Sequence, residues 1–278
     1  MTFTLLIDNM PSQSCDLHSE HGLSLFCKWH DRNILVDTGL TGKAMDNAKI
    51  LGIDISDIDI LILSHGHNDH TGGLERFLQI NGKAKIYASS HIRQYKYESN
   101  RHGVPHDISP DINTVNKNLT RFCFIDTDTN ISDGIRIFHP KNDEYQRPAG
   151  NKYLSVDYET KHKEYIADDE IAIAIKEKDN IIIISPCSHS GLLNTVHSAL
   201  MVTGQPANHV KAYIGGLHLL DEEFENDQVE MIAQTFMKHY PNAYLYSSHC
   251  TGEKACRCLS SVLNDRFTKF HTGYSFII

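Results

Sequence analysis

The chain has 278 residues, 40% of them hydrophobic and 22% charged, with a formal net charge of −9. Its length suffices for one substantial core, and the negative balance argues against a general phosphate-backbone binder, which needs a basic face. No apolar run reaches bilayer length, so neither a nucleic-acid nor a membrane partner is expected.

The chain opens with a strand at 3–7 that meets Asp8 too soon, and lacks the basic start, to serve as a signal peptide. Seven cysteines without a regular framework fit reduced thiols and a cytoplasmic location. Apolar runs at 23–29 and 33–36 flank His30-Asp31-Arg32 and predict a hairpin, after which comes Asp37-Thr38-Gly39. A helix is expected over 41–51 from the stripe Ala44, Ala48 and Leu51, then a buried strand over 58–63. Directly after that strand stands Ser64-His65-Gly66-His67-Asn68-Asp69-His70-Thr71-Gly72-Gly73-Leu74, entering a helix that Asn81-Gly82 ends. Residues 85–88 form the next strand. Ser89-Ser90-His91 is expected to start a helix carrying Ile92, Tyr95 and Tyr97, and 99–118 to be a long loop or cap element.

The second half alternates strand and helix. Strands are expected at 135–138, 171–175, 181–184, 210–214 and 243–246. Helices are expected at 191–202, 222–240 and 253–263, with 267–270 and 274–278 closing the sheet. Three of these strands deliver a histidine: His189 in Pro186-Cys187-Ser188-His189, His218 in Gly215-Gly216-Leu217-His218, and His249 in Ser248-His249-Cys250.

Three imidazoles and a carboxylate within six residues are costly unless something orients and neutralises them, and both groups are good zinc ligands. Because the segment turns sharply, His65 and His67 can face one point while Asp69 and His70 face another, which predicts two adjacent metal sites. Each site then needs one further protein ligand. Asp37 either orients a ligating imidazole or simply forms a turn before Thr38-Gly39.

The pattern His65-x-His67-x-Asp69-His70 after an apolar strand, with the earlier Asp37-Thr38-Gly39, resembles the metallo-β-lactamase fold superfamily. The motifs around Cys187, His218 and His249 resemble, within it, the branch of the 7,8-dihydropterin-6-methyl-4-(β-D-ribofuranosyl)aminobenzene 5′-phosphate synthases. The resemblance implies an α+β, four-layer αββα sandwich: two mixed β-sheets face to face with helices outside. It further implies one domain over 1–278, with residues about 90–165 as a variable cap over the site. By the family's late metal motifs, His189 completes one site with His65 and His67, and His249 the other with Asp69 and His70. His218 is expected to face substrate or move a proton, with His271 as a reserve ligand. Many members carry a metal-bridging Asp where Cys187 stands here, so Cys187 is either a thiolate ligand or an inert buried thiol. The ion count is accordingly one or two.

The expected cofactor is a pair of divalent ions, zinc in the first place, with manganese or iron as alternatives. The expected activity is hydrolysis of a small anionic ester (a phosphodiester, cyclic phosphate, lactone or thioester) by a metal-bound hydroxide, with Asp69 orienting it or taking its proton. The alternative, from the branch, is a dihydropterin-diphosphate transferase releasing pyrophosphate. A third reading is a metal-binding sensor without turnover. Homo-oligomerisation is left open.

Overall fold

The computed structural model describes residues 1–12, 16–141, 143–224 and 226–278. They form two units: Met1–Ile125 with Tyr153–Tyr165 and Phe270–Ile278, and Asp126–Lys152 with Ile166–Lys269.

The first unit is built on a seven-stranded mixed sheet. Its order is Ser275–Ile277, Thr2–Ile7, Ser24–Trp29, Arg32–Val36, Ile60–Ile62, Lys85–Ala88 and Phe122–Phe124. The first four pair antiparallel, and from Arg32–Val36 onward the pairing is parallel. Parallel strands covered by helices are buried on both faces and read as continuous apolar runs, which is why Ile60, Leu61 and Ile62 are all buried. The helices Lys43–Ile50 and Leu74–Ile80 bury Ala44, Met45, Ala48, Leu74 and Phe77 in a core with Leu35, Leu61 and Ile86. Fully burying each such large side chain is worth about 1.5–3 kcal/mol.

The second unit repeats the plan. Its seven strands run Phe267–Lys269, Tyr244–Ser247, Val210–Ile214, Asn180–Ile184, Ala172–Glu177, Ile135–Phe138 and Thr129–Ser132. Here the first four are parallel and the rest antiparallel. Helices Leu192–Thr203, Asn226–His239 and Glu253–Leu263 cover it, with Val196, Ala233, Phe236, Ala255 and Leu259 inside. Gly204 ends the first of these helices in the left-handed region, at φ 66°.

Four expectations need correction. The helix expected to carry Tyr95 and Tyr97 is a short 3-10 turn, Ser90–Arg93, followed by the strand Tyr95–Ser99. Tyr97 is buried while Lys96 is exposed, a period of two, and aromatic residues suit that pleated surface. This strand joins a separate four-stranded sheet ordered Lys161–Glu164, Leu154–Tyr158, Tyr95–Ser99, His106–Asp107. The supposed loop over 99–118 also holds the helix Ile112–Lys117, whose first turn is capped by the Asp111 carboxylate accepting from Asn113 N and Thr114 Oγ1. Finally, the last two strands do not close one sheet. Phe267–Lys269 edges the second unit, and Ser275–Ile277 pairs with Thr2–Ile7 in the first. The long helix begins at Asn226 rather than 222, and Glu225 lies outside the described residues.

Candidate metal centre

In both units the chemistry-bearing loops leave the carboxyl ends of parallel strands, where open α/β sheets place their ligands. In the first unit, Arg32–Val36 delivers Asp37, and Ile60–Ile62 delivers Ser64 to His70. In the second, Asn180–Ile184 delivers Cys187 and His189, Val210–Ile214 delivers His218, and Tyr244–Ser247 delivers His249 and Cys250. Asp37, Ser188, His218 and His249 all have φ between 49° and 59°, a conformation costly for non-glycine residues that concentrates where function holds it.

The first unit gathers its four candidate ligands closely. His65 Nε2 lies 3.0 Å from His67 Nδ1, and His70 Nε2 lies 3.4 Å from an Asp69 oxygen. Nitrogen and oxygen ligands of a tetrahedral zinc, at about 2.0–2.2 Å from the ion, are about 3.3–3.5 Å apart; the His70–Asp69 pair has that separation, and the His65–His67 pair is slightly closer. All four residues are buried. Asp37 underlies them: its carboxylate accepts from Ser64 N and Ser64 Oγ, each at 2.7 Å, and from His70 Nδ1 at 2.7 Å. Ser64 Oγ in turn meets His65 Nδ1 at 2.9 Å. Fixing the far nitrogen of each imidazole leaves Nε2 of His65 and of His70 as the nitrogens that would reach an ion. Burial would hold His70 neutral, but the Asp69 and Asp37 carboxylates outweigh it and raise its pKa well above the usual range. A field that favours positive charge at this imidazole is one that suits a cation. His67 packs edge-on to Tyr97 at 5.4 Å and against Tyr165 at 5.1 Å. Gly66 is required here, because a Cβ would stand 2.3 Å from the Tyr97 ring.

The second unit gathers its own donors. Cys187 Sγ is 3.5 Å from His218 Nδ1 and 3.3 Å from Cys250 Sγ, and the His189 and His218 rings lie 4.2 Å apart. The donor atoms of Cys187, His189 and His218 all fall within 4.8 Å of one another, as do those of Cys187, His249 and Cys250. Burial pushes the Cys250 thiol up, but contact with Cys187 and the neighbouring His249 and His218 bring it well below the ordinary thiol range. His189 is held from behind: its Nδ1 meets Asn151 Oδ1 at 3.0 Å, and Asn151 Nδ2 donates to its carbonyl at 2.7 Å. Its backbone N–H and that of Ser190 both donate to the buried Glu170 carboxylate at 2.8 Å. Glu170→Ala is therefore expected to orphan two buried donors at about 1–3 kcal/mol each, read as a lower urea midpoint at unchanged slope.

His218 also lines a cavity of about 190 Å³ walled by Leu192, Leu193, Leu217, Leu219, Phe224 and Ile232. Arg147 and Asn194 add polar groups to its lining. His271 meets the Thr272 carbonyl through Nδ1. Sequence reasoning missed Ser64, Asn151, Glu170 and Cys250 as parts of the site. Ser64, adjacent to His65, and Cys250, adjacent to His249, carried a local signal. Among the described residues all six cysteines are free thiols; Cys15 lies outside them. Cys256 turns to the Thr251 carbonyl, not to Cys250. No helix among the described residues is long and apolar enough to cross a membrane.

The metallo-beta-lactamase superfamily family model matches residues 29–151. A solved structure of a metal-dependent hydrolase of the beta-lactamase superfamily, Tm1679, superposes on the chain with a TM-score of 0.82. It is 25% identical and covers 100% of this chain and 99% of that one. The chain has the metallo-β-lactamase fold. It is also similar to the 7,8-dihydropterin-6-methyl-4-(beta-D-ribofuranosyl)-aminobenzene-5′-phosphate synthase of Methanocaldococcus jannaschii. That relative is 28% identical over 275 residues, 92% of this chain and 89% of its own length. Human tRNase Z, short form, shares the fold at 14% identity and a TM-score of 0.56, covering 100% of this chain and 99% of that one.

Proposed function

We propose that this chain is a metal-dependent hydrolase of a small anionic ester. The residues assigned to metal are His65, His67, Asp69 and His70 in the first unit and His189 and His249 in the second. The observation that carries the reading is the local geometry of the first unit: two donor pairs near single-ion spacing, with Asp37 beneath them. Likeness to a metal-dependent hydrolase across the whole chain supports it.

When bound, the ions would bring the pKa of water to about 7 and polarise the ester oxygen. The chain's own residues do the rest. Asp37 holds Nε2 of His70 and, through Ser64, of His65 toward the ion. The Asp69 carboxylate orients the attacking water and takes its proton. His218 stands at the cavity wall and protonates or holds the leaving group, while the apolar lining takes the carbon body of the substrate. An apolar pocket with a few polar groups is the usual form of such a subsite.

One observation favours a second reading, transfer instead of hydrolysis: the similarity to a synthase over most of both chains. In that reading the same residues hold a dihydropterin diphosphate, and an aminobenzene ribofuranosyl phosphate displaces pyrophosphate. Metal per chain, measured by plasma mass spectrometry on protein purified without chelator, comes first and is expected to be near two. A panel of phosphodiesters, cyclic phosphates, lactones and thioesters then tests hydrolysis. Pyrophosphate released only when both synthase substrates are present would replace hydrolysis by transfer. Metal bound without turnover in either assay would leave a sensor.

A further inference from the structure

We infer that the metal centre of this chain is thiolate-ligated, with Cys187 as the donor common to both ion positions and Cys250 as an added ligand of one. The inference deepens the proposed metal function and rests on it for the presence of ions, but not for the reaction.

Cys187 belongs to both donor groups of the second unit, once with His189 and His218 and once with His249 and Cys250. The separations suit coordination. With Zn–S near 2.3 Å and Zn–N near 2.0–2.1 Å, tetrahedral ligands lie about 3.8 Å apart for two sulfurs and about 3.6 Å for sulfur and nitrogen. The Cys187–His218 distance of 3.5 Å is close to the second value, while the Cys187–Cys250 distance of 3.3 Å is shorter than the first and leaves both sulfurs within reach of one ion. The sulfurs are too far apart for a covalent bond, which needs about 2.05 Å.

The backbone is shaped around the Cys250 sulfur. The His218 N–H donates to Cys250 Sγ at 3.1 Å, and a Cβ on Gly216 would stand 2.5 Å from the same atom. A backbone donor aimed at sulfur stabilises a thiolate and orients it, as partner groups do for other ligands. Structural buried cysteines are ordinarily inert and packed among apolar groups, as Cys27 is, whose burial pushes its thiol far up. Cys187 and Cys250 instead face each other and histidine nitrogen. On binding, each thiol gives its proton to solvent and its sulfur lone pair to the ion. No oxidant is involved.

The test is cobalt substitution of the full chain, with metal counted in the same samples. Wild type loaded with cobalt(II) is expected to show the near-ultraviolet sulfur-to-cobalt charge-transfer band. Cys250→Ser should weaken the band and the affinity of one ion. Cys187→Ser should remove most of the band and lower retention of both ions. Cys258→Ser, remote from the centre, should change neither. A full cobalt count without the band in wild type overturns the inference, and that result does not depend on any variant folding. So does an undiminished band in the variant carrying both Cys187→Ser and Cys250→Ser. Ester turnover with no band would sink thiolate ligation while leaving the hydrolase reading intact. A strong band without turnover on any substrate would do the reverse.

Discussion

Asp37→Ala is expected to cost the chelated protein about 3–5 kcal/mol, the usual consequence of removing one partner from a buried charged network. The carboxylate is fully buried and accepts three hydrogen bonds, from Ser64 N, Ser64 Oγ and His70 Nδ1. Alanine leaves all three donors without it and adds strain, because position 37 has φ 59°. Asn tolerates that backbone, so Asp37→Asn separates the two contributions and should cost less. Both variants should bind metal about 10–100-fold more weakly, as loss of a ligand's supporting group usually does. Denaturant melts in chelator give the first quantity, and competition with a chromophoric zinc indicator gives the second. Unchanged melts and unchanged affinity in Asp37→Ala would mean that the network supports neither fold nor site.

His67→Ala should have the largest effect on function. It removes a ligand outright, so turnover should fall by more than the roughly 100-fold ceiling typical of supporting groups. Metal retention should fall by at least one ion per chain. The lost imidazole packs on Tyr97 and Tyr165, so some stability will go with it, and circular dichroism must show the variant folded. Full metal and full activity in a folded His67→Ala protein would remove the basis of the proposed function.

Much of the site was legible because its logic is local. A strand of buried β-branched residues followed at once by a ligand is visible in the letters, and it holds at Ile60–Ile62 before His65 and at Asn180–Ile184 before His189. The residues that hold the ligands were less visible. Glu170 lies 19 positions from His189 and Asn151 lies 38 away, and neither stands in a motif. Their roles come from tertiary contact, which no periodicity records. The region from about 90 to 165 failed for a similar reason. Tyr95–Ser99 is a strand because Leu154–Tyr158 pairs with it, with Tyr97 opposite Val156. Without that partner, the preceding Ser-Ser-His looks like a helix start. The helix Ile112–Lys117 depends on one cap, Asp111, in a stretch otherwise rich in turn formers.

The assignment of Ser275–Ile277 to the first sheet has a consequence for how the chain acquires its shape. The second unit's core extends to Leu263 and its edge strand ends at Lys269, so its sheet needs no partner from beyond that point. The first unit's sheet is different: Thr2–Ile7 pairs with a strand some 270 positions later. Contacts of such separation form slowly, and an unpaired edge is prone to self-association until they do. Closure of the first sheet is therefore expected to be the slower step on refolding. The donors of the second, Cys187, His189, His218, His249 and Cys250, all follow strands whose pairing needs no such distant partner.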